Sequence, residues 1–188
     1  MRIDSQSIGD SSRFLPLDTL RRELDALPPA PADTGTLTAI VRRVEGGVRE
    51  SLPRTALTRE SGVPGDAWGR ARNPDPAAQI TVMQDDIATL IANGQPRELF
   101  GDQLFVNLDL SAPSLPVGSR VRIGTALLEV TPEPHNGCQK FLARFGRDAL
   151  KLASMKELRH RNFRGIYMTV VEDGEAAVGD AVEVVSRP

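Results

Sequence analysis

Two stretches of this chain follow one pattern. Val117-Gly118-Ser119-Arg120-Val121-Arg122-Ile123 and Val178-Gly179-Asp180-Ala181-Val182-Glu183-Val184 each enter an alternating strand through a valine–glycine turn. Side chains alternate across a strand, so such segments carry one apolar and one polar face, and strand entries of this kind are common in small β-barrels. Gly124-Thr125, between Ile123 and Ala126, suits a two-residue hairpin turn. The returning strand, Ala126 to Val130, leads into Thr131-Pro132-Glu133-Pro134-His135-Asn136-Gly137-Cys138, where two prolines forbid regular structure. A helix-like run follows. Cys138 is therefore expected in a strand-to-helix loop at a barrel rim.

Leu37 to Val44 is rich in β-branched residues, and Gly46-Gly47 turns it into a hairpin with Val48-Arg49-Glu50. Residues 58–77, dense in Gly, Pro, Asn and Asp, form a loop long enough to suggest function, in which Trp68 either stacks on a flat ligand or pins the loop to the body. Gln79 to Met83 reads as a strand and Asp85 to Asn93 as a helix stopped by Gly94. From Gly101 to Leu110, Leu104, Val106 and Leu108 alternate with Gln103, Phe105 and Asn107. That strand brings Asn107 and Asp109 out at its end, either to meet a ligand or to make a turn. Helical spacing returns from Arg147 to Leu158, and Arg164 to Val171 reads as a core strand. The fold class is mixed and mainly β, a barrel with a few peripheral helices.

Leu17, Leu20, Leu24 and Leu27 fall on one helical face, with Asp18 or Thr19 placed to cap, and Pro28-Pro29-Ala30-Pro31 stops that helix. Residues 1–35 thus read as an appendage, of which 1–33 are expected to be dispensable for the fold, and 36–188 as the barrel domain. The helix either binds a partner or lies on its own domain.

A net charge of −2 offers no electrostatic match for nucleic acid. The start of the chain lacks the apolar core of a leader and no run is long enough to cross a bilayer, so a cytoplasmic protein without membrane contact is expected. Charge is uneven, however: between Lys140 and Arg164 eight basic residues face two acidic ones, a net +6 that leaves −8 elsewhere. Such a segment is either an anion site or a solvated helix face.

Cys138 is the only cysteine, which excludes an internal disulfide, and no His/Cys cluster suggests zinc. At a helix start capped by Asn136 or Gly137, its thiol would meet unpaired N–H groups, and Lys140 and protonated His135 would add positive charge, all favouring the thiolate. The same residue also reads as a small buried hydrophobe, and composition does not separate the two.

Pro134-His135-Asn136-Gly137-Cys138-Gln139-Lys140-Phe141, leading into Arg144-Phe145-Gly146, resembles the cysteine segment of the MOSC domain family, named for the C-terminal domain of molybdenum cofactor sulfurases. Other motifs resemble that family in the same order: Gly62-Val63-Pro64-Gly65-Asp66, Gly101 to Leu110, Leu115-Pro116-Val117-Gly118, and Arg164-Gly165-Ile166-Tyr167 before Val178-Gly179-Asp180. The likeness runs from about residue 36 to the C-terminus. It departs after Asp66, where many members place basic or histidine residues and this chain has Ala67-Trp68-Gly69-Arg70.

The resemblance implies a MOSC-type barrel that binds the molybdenum cofactor (molybdopterin), or sulfur destined for it, through Cys138. It places Cys138 and His135 at the chemistry, Cys138 on the metal, and Lys140, Arg144, Arg164, Asn107, Asp109 and Asp66 around the anionic pterin. Two alternatives stand beside it: a molybdenum-dependent reductase of N-hydroxylated compounds, and a non-catalytic barrel binding module. The sulfurases' pyridoxal phosphate belongs to a separate domain for which 188 residues leave no room, so it would enter only through a partner, a cysteine desulfurase. A redox partner would serve the reductase. Neither a Gly-x-Ser-x-Gly elbow nor a nucleotide-type glycine loop is present, which argues against serine hydrolases and nucleotide enzymes.

Overall fold

Both valine–glycine turns lead into strands that pair with each other. In the computed structural model, which describes residues 3–4 and 6–188, the chain runs α1 (Leu17–Ala26), β1 (Thr34–Arg43), β2 (Arg49–Leu52), β3 (Arg54–Leu57), β4 (Ile80–Gln84), α2 (Asp85–Ala92), β5 (Leu104–Val106), β6 (Arg120–Ile123), β7 (Ala126–Val130), α3 (Gln139–Ser154), β8 (Ile166–Glu172), β9 (Gly174–Ala177) and β10 (Ala181–Ser186). Met1, Arg2 and Ser5, part of the segment read as lacking a leader's apolar core, lie outside the described residues. Seven strands close a ring in the order β10-β6-β7-β8-β4-β5-β1 and back to β10. Neighbours in the ring are antiparallel except β4 and β5, which are parallel. β2 extends the sheet from β1, and β3 pairs with β9 in a separate ribbon. The mainly β barrel with few helices is thus as the sequence led one to expect.

Two apolar clusters result. Ile40, Val82, Leu104, Leu128 and Met168 fill the barrel interior. On the outer wall, Val41, Met83 and Phe105 lie under a helical layer that includes Ile87, Phe141, Phe145 and Leu152. β5 is shorter than the Gly101–Leu110 alternation suggests, and all three of its side chains are buried, because one face meets the interior and the other the helices. Among the described residues no helix is long and apolar enough to cross a membrane.

α1 lies on its own chain. Leu20 and Leu24 are buried in the second cluster, 1% and 6% exposed. Its N-cap position is Pro16, and the Leu17 N–H finds its acceptor in Asp148 Oδ2 of α3 at 3.1 Å, so neither Asp18 nor Thr19 caps it. This burial is at odds with residues 1–33 being dispensable. Leu20→Ala should cost about 3 kcal/mol, within the usual range for a buried leucine, read as a lower urea midpoint with unchanged slope. An unchanged midpoint would return α1 to a detachable appendage.

α3 is bent. Gly146 adopts φ +86°, and the Phe14 ring packs where a Cβ would stand, so the helix read from Arg147 onward is the second half of the helix that starts after Cys138.

Candidate functional site

Cys138 occupies the N-cap position of α3 with extended backbone (φ −129°, ψ 177°), and its thiol is exposed. The cap is therefore Cys138 itself, not Asn136 or Gly137, and the buried-hydrophobe reading does not hold. The thiol opens into a cavity of about 430 Å³ that also contains His135, Lys140, Phe141, Arg144, Arg164 and Tyr167. Arg43, Arg49, Arg70, Thr81 and Asp102 line it from other parts of the chain. By strand alternation Arg43 shares a face with Val41, and Thr81 with Met83, while Tyr167 faces opposite to the inward Ile166 and Met168. The cavity therefore leans on the barrel's outer wall, beside the helical layer, and Cys138 reaches it from the loop that leaves the end of β7.

Six cations surround this space: Arg43, Arg49, Arg70, Lys140, Arg144 and Arg164. Arg164 and Arg43 each grip a buried carboxylate. Arg164, 7% exposed, donates from Nη1 to Asp102 Oδ2 at 2.7 Å and lies over the Phe141 ring at 5.0 Å. Arg43 grips Asp66 through Nη2 at 2.6 Å and Nε at 3.0 Å. Arg144 instead donates to backbone carbonyls, Nη1 to Leu99 O at 2.9 Å and Nε to Ser7 O at 3.3 Å. Arg70 donates to the carbonyls of Gly65 and Arg43, and Arg49 to that of Asp4. A carbonyl satisfies a donor without neutralising the charge. Among the described residues no carboxylate forms a salt bridge with Arg49, Arg70 or Lys140. The crowding has a measurable sign: burial, reinforced by Arg144 and Arg43, pushes the Arg49 pKa down to about 10. Burial likewise lowers that of Arg144, while negative charge at Cys138 acts in the opposite sense.

Two buried acids hold the walls. Asp102 is 1% exposed; burial opposes its charge, but the Arg164 guanidinium outweighs that and holds the carboxyl below the usual carboxylate range. Asp66 is fully buried and likewise held low, burial being outweighed by Arg43. It accepts from the Arg43 and Trp68 backbone N–H groups and from Gln103 Nε2 as well.

His135 Nδ1 lies 3.6 Å from Asp102 Oδ1, and the imidazole sits 4.6 Å from the Tyr167 ring. That approach is an ion pair only if the ring is charged. Burial, with Arg164 adding, outweighs Asp102 and pushes the pKa down to about 4, so His135 is neutral at pH 7 and does not supply the positive charge expected beside the thiol. Its folded value lies below the ordinary 6.5, so the unfolded chain takes up a proton first as pH falls. Stability contributed by neutral His135 is complete above about pH 6.5 and lost as pH falls through about 4, amounting to about 3 kcal/mol at 1.36 per unit. His135→Gln should flatten the stability–pH curve across that window. An unchanged slope in urea titrations would show that His135 is not the group responsible.

The family profile described as MOSC domain matches residues 75–183, more than half the chain. The chain belongs to the MOSC domain family. Solved structures of similar fold include the YuaD protein from Bacillus subtilis (TM-score 0.57, 20% identity, 82% of this chain and 97% of that one). YiiM from Escherichia coli aligns with TM-score 0.54 and 22% identity over 81% of this chain and 71% of its own. YiiM from Geobacillus stearothermophilus gives 0.52 and 16% over 85% and 76%. Comparison with curated proteins returned no match. The MOSC family is associated with molybdenum-cofactor binding.

In this MOSC domain the residues expected at the site divide. Cys138, His135, Lys140, Arg144 and Arg164 meet in the cavity. Asn107 and Asp109 do not: Asn107 is exposed, and Asp109 accepts from the Ser111 N–H at 2.9 Å in a turn, lining a separate cleft of about 160 Å³ with Gln84 and Arg161. Asp66 lies behind Arg43 as its clamp, outside the lining, because its oxygens are occupied by five donor contacts. Of the basic segment only Lys140, Arg144 and Arg164 reach the cavity; Arg147, Lys151, Lys156, Arg159 and Arg161 do not. Trp68 donates from Nε1 to the Asp75 carbonyl at 2.8 Å and so ties the loop to itself, outside the cavity. Arg43, Arg49, Arg70 and Asp102 were not singled out from sequence. Two motifs held a signal: the run Gly65-Asp66 to Arg70, whose Arg70 supplies a cation to the cavity despite the departure from the family pattern, and Gly101 to Leu110, whose Asp102 lines it.

The donor set fits the family's cofactor. The cavity is of ligand size, a soft thiol opens into it, and the buried Nε atoms of Arg49 and Arg164 have no hydrogen-bond partner among the described residues. Among those residues no group of three or more His, Cys, Asp or Glu could hold a metal ion, and Cys138 is the soft donor that opens into the cavity.

Proposed function

We propose that this MOSC domain binds the molybdenum cofactor, or the sulfur destined for it, through Cys138, with the cofactor's phosphate held by the cavity's arginines and Lys140. The single observation that carries this reading is the meeting of an exposed soft thiol and an excess of unneutralised cations in one cavity of about 430 Å³. A thiolate matches molybdenum or sulfane sulfur, and guanidinium forks match phosphate oxygens. When bound, the cofactor would supply a redox-active metal. The protein's own contributions are the sulfur ligand, the phosphate clamp of Arg49, Arg144 and Lys140, and a wall of neutral His135 and Tyr167 that restricts solvent. In the sulfur-carrying form, the Cys138 sulfur attacks the terminal sulfur of a partner's persulfide, and the partner's thiolate leaves. A pyridoxal-phosphate-dependent cysteine desulfurase is the partner class that generates such a persulfide.

Molybdenum and pterin analysis of protein made in a molybdenum-replete host tests the reading, together with cyanide-releasable sulfur. Bound molybdenum with phosphorylated pterin is expected, or persulfide on Cys138 with pterin binding when it is supplied. Absence of metal, pterin and sulfane sulfur under all loading conditions would favour a non-catalytic binding module instead.

A further inference from the structure

A second cavity, of about 340 Å³, meets the first only at His135 and Arg164, which line both. It is built where the loop before Cys138 faces the end of α3 and the 3-10 turn Lys156–Arg161 that follows. That wall is fixed before any ligand arrives. The Ala112 N–H donates to His160 O at 2.8 Å, and Asn162, in the left-handed region at φ +51°, donates from Nδ2 to Leu110 O at 2.8 Å. Arg164, in the partition between the two cavities, spends Nη1 on Asp102 Oδ2 at 2.7 Å and leaves a buried Nε without a hydrogen-bond partner among the described residues. Arg159 is exposed, and among those residues no carboxylate forms a salt bridge with it; Glu157, on the same turn, faces Arg21 at 3.7 Å instead. No carboxylate lines the cavity.

The geometry points to this second cavity as a binding site for a small monocarboxylate, separate from the cofactor site and independent of what that site holds. Charge sets the valence. Asp102 balances Arg164, so the uncompensated charge on the lining is that of Arg159, which one negative charge matches. Shape sets the head group: the two oxygens of a carboxylate accept a guanidinium fork side by side, an arrangement that a spherical anion cannot use. Asn136 and the Arg164 Nε add donors, so the lining favours an acceptor-rich group. Phe163 and Ala153 give the rest of the ligand an apolar wall, which suits a short hydrocarbon body, and the volume is of ligand size. A carboxylate seated here lies across the His135–Arg164 partition from Cys138.

The probe is propionate, titrated at neutral pH into the full chain while amide NMR shifts are followed, with sodium chloride at matched ionic strength as the control. The Ser154 and Asn162 amides report on the second cavity, and those of Gly46, Gly47 and Gly101 on the first. Saturable shifts at Ser154 and Asn162, absent with chloride, are expected. Arg159→Gln removes the fork, and because Arg159 is exposed and lies outside the first cavity, the variant keeps the fold and that cavity's lining. It is expected to weaken the response at Ser154 and Asn162 about tenfold, the usual effect of losing one hydrogen bond to a charged group. A response there with Gly46, Gly47 and Gly101 silent would establish the second site whatever the first one binds. Shifts that chloride reproduces would be screening of a charged surface and would overturn the site. So would Ser154 and Asn162 amides indifferent to propionate, or equal affinity in Arg159→Gln and wild type.

Discussion

Cys138→Ser is expected to abolish uptake of molybdenum cofactor and of sulfane sulfur while leaving the fold intact. A serine hydroxyl stays protonated at neutral pH and is a hard oxygen donor, so it neither ligates a soft metal nor carries a persulfide. The structural cost is negligible, because the Cys138 side chain is exposed and makes no cap hydrogen bond. Serine is among the preferred N-cap residues, and its oxygen could accept the N–H of Lys140 or Phe141, worth up to about 1 kcal/mol. The melting temperature should therefore stay level or rise slightly. Metal analysis, cyanide-releasable sulfur and calorimetry on the same preparations separate the two effects. A serine variant that retains its full cofactor content would remove Cys138 from the binding site.

The largest stability loss is expected at Asp66. Asp66→Ala removes the partner of the Arg43 guanidinium and leaves the Arg43 and Trp68 N–H groups without this acceptor, while the Gln103 amide keeps only the Gln79 carbonyl. Breaking a buried ion pair from one side typically costs about 3–5 kcal/mol, less here because the Arg43 side chain is 30% exposed, and each orphaned buried donor adds about 1–3. The total should reach about 4 kcal/mol, a large share of the whole stability of many domains. Asp66→Asn, which keeps one acceptor oxygen, should lose markedly less. Chemical denaturation measures both. A loss below about 1 kcal/mol for the alanine variant would mean that the clamp is not what holds the 58–77 loop, and would reopen a ligand-contact role for Asp66.

Local chemistry written in neighbouring residues was readable from the sequence. Gly124-Thr125 specified the β6–β7 hairpin, and the prolines before Cys138 delivered the thiol to a helix start, because both depend on residues a few positions apart. Chemistry assembled by the ring was not readable. Arg43, Arg49 and Arg70 sit among ordinary hairpin and loop residues, with no charge run to mark them, and reach Cys138 only through tertiary folding. The +6 segment misled in the opposite direction, since helical geometry turns most of its cations away from the cavity. Asp66 and Asp109 show a subtler limit: an aspartate that clamps, one that makes a turn and one that touches a ligand are the same letter, and only hydrogen-bond partners tell them apart. Leu20 and Leu24 likewise formed a legible stripe, but which surface would receive it was set by α3, more than a hundred residues away.

Parity has a consequence for where the site can be. A closed ring whose neighbours all run oppositely needs an even number of members, and this ring has seven. At least one like-oriented pair is unavoidable, and the chain places it at β4 and β5. Like-oriented neighbours cannot be joined by a tight turn; the chain must travel back along the outside, which it does through residues 85–103. That return path carries α2 over the wall and ends in Phe100-Gly101-Asp102, three residues of the cavity lining. Because this chain makes its like-oriented pair from consecutive strands, a crossover joins them, and the end of that crossover brings the Arg164-binding carboxylate to the ligand space.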